Sequence, residues 1–219
     1  MINTASIINV SFLRMKEELD ELVAGGTTFF HIDLMDGHYV PNLCLPIKLL
    51  AELKEAYPQV TMDVHMMVSN PNDYIARLKE AGADYVSFHT DSTPFVRRVI
   101  NNIRAAGMKP GIIINPSQRI DHITPFIQYV DMVTLMSVEP GFAGQPFLEG
   151  SMERLREIAR LRQQYGCSFI LSVDGGIDYE KGHVCKEIGV DAIVGTVHNI
   201  FKQPEGLREA CLRFTRELG

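Results

Sequence analysis

The sequence predicts an α/β fold, a closed (β/α)8 TIM barrel formed as a single domain over residues 1–219. Three observations carry that expectation. Short β-branched runs alternate with longer amphipathic ones along the whole chain, which implies a parallel sheet with helical crossovers. Eight such units fit into 219 residues, a usual length for one α/β barrel. No GxGxxG follows the first strand, which counts against a doubly wound open sheet.

The elements follow in order. Ser6–Val10 reads as the first strand, and Phe12–Val23 as a helix with Met15, Leu19 and Leu22 on one stripe. Gly25-Gly26 stops it. The second strand starts at Phe29 and runs into the turn pairs Asp36-Gly37 and Pro41-Asn42. Leu45–Tyr57 is helical, and Pro58 ends it. Val60–Val68 is the third strand. Asn70 serves as N-cap and Pro71 as first residue of a helix that reaches Ala81-Gly82. Tyr85–His89 is the fourth strand and Thr93–Ala106 the helix after it. Pro110–Ile114 is the fifth strand, followed by a short helix over Asp121–Gln128. Val130–Val138 is the sixth strand, Gly150–Tyr165 a charged helix, and Phe169–Val173 the seventh strand. Asp178–Ile188 is helical, Ala192–Val194 is the eighth strand, and Glu205–Leu218 is the last helix.

Composition narrows the function classes. With 27 acidic against 21 basic residues, the net charge of −6 argues against nucleic acid or an anionic membrane as main partner. It leaves room for a local phosphate pocket, because backbone N–H groups bind phosphate without net charge. No apolar run reaches the ~18 residues of a membrane span, and no signal peptide is evident at the N-terminus. Cys44, Cys167, Cys185 and Cys211 form no CxxC pair and read as reduced thiols of a cytoplasmic protein.

In a barrel, reactive side chains gather at the carboxyl ends of the strands. His31 and Asp33 stand two apart at the end of the second strand and so share a face. His65 lies on the third strand, and Asp174 ends the seventh. Each alone would serve equally well as a buried, hydrogen-bonded residue. Together they form a mixed nitrogen–oxygen set suited to Zn²⁺, Fe²⁺ or Mn²⁺ rather than Mg²⁺ or Ca²⁺. His89 also ends a strand and reads either as a neighbour of the site or as a plain core histidine. His38, His122, His183 and His198 have no partner at an informative spacing. Glycines follow the last three strands at Gly141–Gly144, Gly175-Gly176 and Gly195-Thr196. Barrels often hold phosphate at such loops. A cation and a phosphate grip on one mouth suggest a phosphorylated sugar, with a cation polarising a carbonyl and a carboxylate taking the adjacent proton. Carboxylates Asp33 and Asp174 on nearly opposite strands would allow removal from one face and return to the other, which is epimerisation.

The segments His31–Asn42, Asp63–Val68, Met136–Phe147 and Val173–Ile177, with Val194-Gly195, resemble the ribulose-phosphate 3-epimerase family. The HxDxMDG run at His31–Gly37 and the run Met136–Gln145 are specific to it. The resemblance implies a metal-dependent ketose-phosphate 3-epimerase on a ribulose-phosphate-binding type of barrel. It implies one divalent cation per subunit (Zn, Fe, Mn or Co) on His31, Asp33, His65 and Asp174, with Asp33 and Asp174 as the acid/base pair. It assigns substrate contacts to Ser6, His65, Met35, Met67 and Met136, and the phosphate grip to Gly141, Phe142, Ala143, Gly144, Gly175, Gly176, Gly195 and Thr196. It also implies a homo-oligomer.

Three departures bear on the substrate. Ala143 replaces a usual glycine, Thr196-Val197 a usual Ser-Ala, and Asn9-Val10-Ser11 a usual Ser-Ala-Asp. The first two are similar to the allulose-6-phosphate 3-epimerase branch, whereas Asp174-Gly175-Gly176 is not. The substrate is therefore D-ribulose 5-phosphate or, alternatively, D-allulose 6-phosphate. A decarboxylase of similar fold would need a DxKxxD run where this chain has Asp63-Val64-His65-Met66-Met67-Val68. A non-catalytic sugar-phosphate binder is the remaining reading, disfavoured because all four ligand positions are filled.

Overall fold

A computed structural model describes residues 1–219. Eight parallel strands close on themselves: β1 (Ile2–Ser6), β2 (Phe29–Asp36), β3 (Thr61–Met67), β4 (Tyr85–His89), β5 (Lys109–Ile114), β6 (Met132–Met136), β7 (Ile170–Asp174) and β8 (Ala192–Gly195). Each pairs with its sequence neighbours, and β1 pairs with both β8 and β2, which closes the ring. A two-residue strand, Leu43–Cys44, lies antiparallel to the end of β2. The helices are α1 (Met15–Ala24), α2 (Ile47–Ala56), α3 (Ile75–Glu80), α4 (Val96–Ala105), α5 (Ser151–Gln164), α6 (Tyr179–Ile188) and α7 (Leu207–Leu218).

Alternation along the strands sorts side chains into two cores. Phe30, Ile32 and Leu34 of β2, Val86 and Phe88 of β4, and Ile112 and Ile114 of β5 belong to the main buried cluster with helix residues such as Leu22, Leu50 and Ile103. The alternate residues point inward. Register places Asp33, His65, Ser87, Gly111 and Met132 in one such row across β2 to β6. Fully burying one of these aliphatic side chains contributes ~1.5–3 kcal/mol, so the outer layer dominates stability. The inner layer is free to carry polar residues. No helix is long and apolar enough to cross a membrane.

Three local expectations are corrected. The first strand is Ile2–Ser6, not Ser6–Val10. Pairing to β2 and β8 on both sides outweighs the β-propensity of Ile7-Ile8, and Ile7–Asn9 turns as a 3-10 helix. Asn70 makes no side-chain cap; its Nδ2 donates to Asp73 Oδ2 at 2.6 Å instead, and Pro71–Tyr74 is a 3-10 turn before α3. The crossover after β5 holds two 3-10 turns, Ile120–Ile123 and Ile127–Tyr129, rather than a helix over Asp121–Gln128. Pro125 lies between them; it has no N–H to continue a helical ladder, although Thr124 itself keeps helical geometry at φ −51°, ψ −40°. In that crossover the guanidinium of Arg154 donates to the carbonyls of Pro116, Asn115 and Gln118 at 2.5–2.8 Å.

Candidate active site and metal centre

At the carboxyl ends of the strands, four predicted ligands converge. His31 Nε2, Asp33 Oδ1, His65 Nδ1 and Asp174 Oδ2 lie within 4.8 Å of one another. The His31 and His65 nitrogens are 3.4 Å apart. His65 Nδ1 is 3.4 Å from Asp33 and 3.6 Å from Asp174, and His31 Nε2 is 3.6 Å and 3.7 Å from the same two carboxylates. Donors bound at ~2.1 Å around one tetrahedral centre would stand ~3.4 Å apart, so this spacing and this nitrogen–oxygen set fit a divalent transition-metal ion.

The surrounding hydrogen bonds prepare the donors. His31 Nδ1 is 2.7 Å from Asp63 Oδ2, both groups buried. A carboxylate there accepts a hydrogen bond from Nδ1–H and leaves Nε2 with its lone pair toward the cluster. Ser6 Oγ donates to Asp33 Oδ2 at 2.9 Å, leaving Oδ1 for the cluster. Burial alone would lower the basicity of His31, but Asp33 and Asp63 outweigh it and raise it well above its ordinary value. Burial likewise opposes, and Asp174 and Asp33 produce, a rise at His65. Burial would raise the Asp33 carboxyl, but the His31 and His65 rings hold it well below the usual carboxylate range. Two carboxylates and two imidazole nitrogens thus face one point, a donor set that a cation can occupy.

Above the cluster a narrow cleft opens to solvent. Ser6, Asp33, Met35, His65, Met67, Met136, Asp174, Gly141, Phe142, Ala143, Gly144, Gly175, Gly176 and Thr196 line it. His31 lies beneath and does not reach the cavity wall. Met35, Met67 and Met136 are buried and bring thioethers to the wall. The amides of Gly141–Gly144, Gly175 and Gly176 donate to no backbone carbonyl, which leaves them free for an oxyanion. Gly176 has φ +60°, and a Cβ there would stand 2.6 Å from Phe147 N, so only glycine fits under the loop after β6. That loop is tied across the mouth by Asn42 Nδ2, which donates to Gly141 O at 2.8 Å.

Two predicted contacts differ. Gly195 is absent from the cavity wall. It points outward, where a Cβ would meet Asn3 Oδ1 at 2.6 Å and Ile200 Cγ1 at 2.9 Å, so packing demands the glycine. The Thr196 amide is taken by Asn199 Oδ1 at 2.9 Å. Its hydroxyl, buried and without a partner, is the group left to meet a ligand. Ile8, Asn9, Val138, Glu139, Pro140 and Gln145 also line the cavity and were not singled out from sequence. Asn9 stands in the departing run Asn9-Val10-Ser11, and Val138, Glu139, Pro140 and Gln145 stand in the run Met136–Gln145, so each carried that much signal. Asp63 carried only its place two residues before His65. His38, His122 and His183 are exposed, with His38 Nδ1 2.9 Å from Asp36 O, whereas His198, read with them as a surface or loop residue, is half-buried with its Nε2 unpartnered.

Comparison with known proteins agrees with this geometry. A profile described as the "Ribulose-phosphate 3 epimerase family" matches residues 2–201. Ribulose-phosphate 3-epimerase of Aquifex aeolicus is 35% identical over 178 residues, 81% of this chain and 80% of that protein. The Bacillus subtilis protein of the same name is 34% identical over 196 residues, covering 89% and 90%. Among solved structures, 3-hexulose-6-phosphate synthase from Salmonella typhimurium superposes with a TM-score of 0.74 over the whole of both chains at 14% identity, a likeness of fold alone.

Proposed function

The chain belongs to the ribulose-phosphate 3-epimerase family, and on that premise we propose how its own residues carry out the reaction. It is an isomerase that interconverts D-ribulose 5-phosphate and D-xylulose 5-phosphate. D-Allulose 6-phosphate is not favoured, because the matched relatives carry the pentose-phosphate name. The single observation that carries the mechanism is the pair of carboxylates, Asp33 and Asp174, facing one floor from strands separated by β1 and β8.

His31, Asp33, His65 and Asp174 would hold one divalent cation (Zn, Fe, Mn or Co). Bound there, such an ion supplies Lewis-acid polarisation of substrate oxygens, which makes the proton at C3 acidic. One carboxylate takes that proton and leaves an enediolate. The other, already protonated, returns a proton to C3 from the opposite face, so the configuration inverts and the two carboxyls exchange protonation states. Ser6 keeps Asp33 oriented through its 2.9 Å hydrogen bond. Met35, Met67 and Met136 keep water off the planar intermediate. The free amides of the glycine loops and the Thr196 hydroxyl grip the phosphate.

The test is proton NMR in deuterated water with the metal-loaded Asp33→Asn and Asp174→Asn variants. Each variant should lose epimerisation by ~10²-fold or more, and each should still exchange C3 hydrogen in one epimer only. Unchanged turnover in Asp174→Asn would sink the two-carboxylate mechanism. We take the working form to be a cytoplasmic homo-oligomer of one barrel unit, residues 1–219. Exposed Phe12 and Leu43 beside an apolar groove, and four free thiols, support this. A monomer in sedimentation at micromolar concentration would count against the oligomer.

A further inference from the structure

His65 has two ring nitrogens with different duties. Nδ1 faces the carboxylates of Asp33 and Asp174. Nε2 lies 2.8 Å from Nε2 of His89, and both rings are fully buried. Two imidazole nitrogens this close need one donor and one acceptor. When Nδ1 of His65 offers its lone pair to a cation, its proton sits on Nε2, and His89 must accept. His89 then carries its own proton on Nδ1. That Nδ1 is buried without a partner, and so is the Oδ1 of Asn115, an acceptor awaiting a donor. The Asn115 amide is set by the Tyr39 hydroxyl at 2.6 Å and Asp91 at 3.0 Å. Tyr39 in turn lies against the His89 ring, centroids 4.8 Å apart.

We propose that His89 is a positioning residue: as a neutral acceptor for His65 Nε2–H, it holds the His65 ring with Nδ1 aimed at the cation site. The inference rests on the reading of the His/Asp cluster as a metal centre. The two histidine ligands are thereby set differently. His31 is backed by the carboxylate of Asp63, which strengthens its donor nitrogen. His65 is backed by an uncharged ring, which fixes orientation without adding a fourth carboxylate near the floor.

The test compares His89→Leu, which fills the space without an acceptor, with His89→Gln, whose Oε1 can take the same proton. Co²⁺ is the probe, read by competition binding and by its visible absorption spectrum, with folding followed by circular dichroism. We expect His89→Leu to bind Co²⁺ ~10–100-fold more weakly with an altered spectrum, and His89→Gln to recover most of the loss. Long-range proton–nitrogen NMR of the wild-type Zn²⁺ form should show His89 neutral with its proton on Nδ1, a readout that stands even if the leucine variant does not fold. Wild-type affinity and spectrum in His89→Leu, equal losses in both variants, or a proton on His89 Nε2 would overturn the proposal. Failure of the wild type to bind Co²⁺ would overturn the metal-centre reading and this inference with it.

Discussion

Gly111 offers the sharpest test of how the barrel interior is built. Its φ is not positive, so its backbone does not require glycine. Space does. A Cβ at 111 would lie 2.0 Å from Ser87 Oγ, 2.9 Å from Ser87 Cβ and 3.3 Å from Met132 Cβ. The hydroxyl can rotate away, giving up only a weak 3.9 Å contact to Met132 Sδ. The Ser87 Cβ cannot, because Ser87 and Gly111 are in-register partners on hydrogen-bonded strands. Overpacking of this kind costs ~1–3 kcal/mol, and the rigid backbone on both sides places Gly111→Ala near ~3 kcal/mol. For a chain of this size that lowers Tm by ~6–12 °C. Ser87→Gly by itself should cost ~1 kcal/mol. The double variant moves the glycine one strand over and leaves only the Met132 contact, so it should stand within ~1 kcal/mol of the wild type. The chain has no Trp, so urea unfolding is best followed by far-ultraviolet circular dichroism. The cycle should give a coupling of ~3 kcal/mol. Losses that simply add would refute the collision as the cause.

Further outcomes are expected elsewhere. Asp63→Asn removes the carboxylate behind His31, and divalent-cation affinity by titration calorimetry should fall ~10–100-fold. At Asp36, burial opposes ionisation but the amides of Ser69, Tyr39 and His38 outweigh it, lowering the carboxyl from 3.8 to about 2. Its stabilising contribution is therefore complete above 3.8 and is lost as pH falls through about 2. Asp36→Asn should be less stable than the wild type at neutral pH, and the gap in urea midpoints should close toward pH 2; a constant gap would contradict the assignment. Burial pushes the Cys185 thiol up to about 12, and Cys211 is buried too. A disulfide reagent should titrate Cys167 first in the native protein, Cys44 more slowly because burial lifts its thiol to about 11, and all four thiols only after denaturation.

The barrel was legible because the outward faces of its strands are nearly pure Ile, Val, Leu, Met and Phe, and because each strand is followed by a turn or amphipathic run. The candidate site on the strand ends was legible for the same reason: His31, Asp33, His65 and Asp174 interrupt apolar runs where only an inward position tolerates them. Properties set by partners distant in sequence were not legible. The end of β1 at Ser6 depends on its register against His31 and on β8. Gly195 looked like its neighbours in the phosphate loops, yet its glycine answers to Asn3 and Ile200 on the outer side. The places of Asp63 and His89 behind the two histidines were not legible, because a hydrogen bond to the far nitrogen of a histidine has no fixed spacing along the chain.

The short antiparallel strand Leu43–Cys44 has a consequence for how copies of this chain meet one another in the crowded state after synthesis. Open sheets expose a row of unpaired amides that can recruit another chain edge to edge. Here the ring closure leaves no free edge among the eight long strands, so a chain that is 46% hydrophobic presents no long template for intermolecular pairing once folded. The one remaining edge is two residues long and lies between Pro41 and Pro46, neither of which can donate an amide to extend it. The rim can therefore carry the apolar Leu43 at the surface without also offering the backbone ladder that turns such a side chain into a seed for fibrous association.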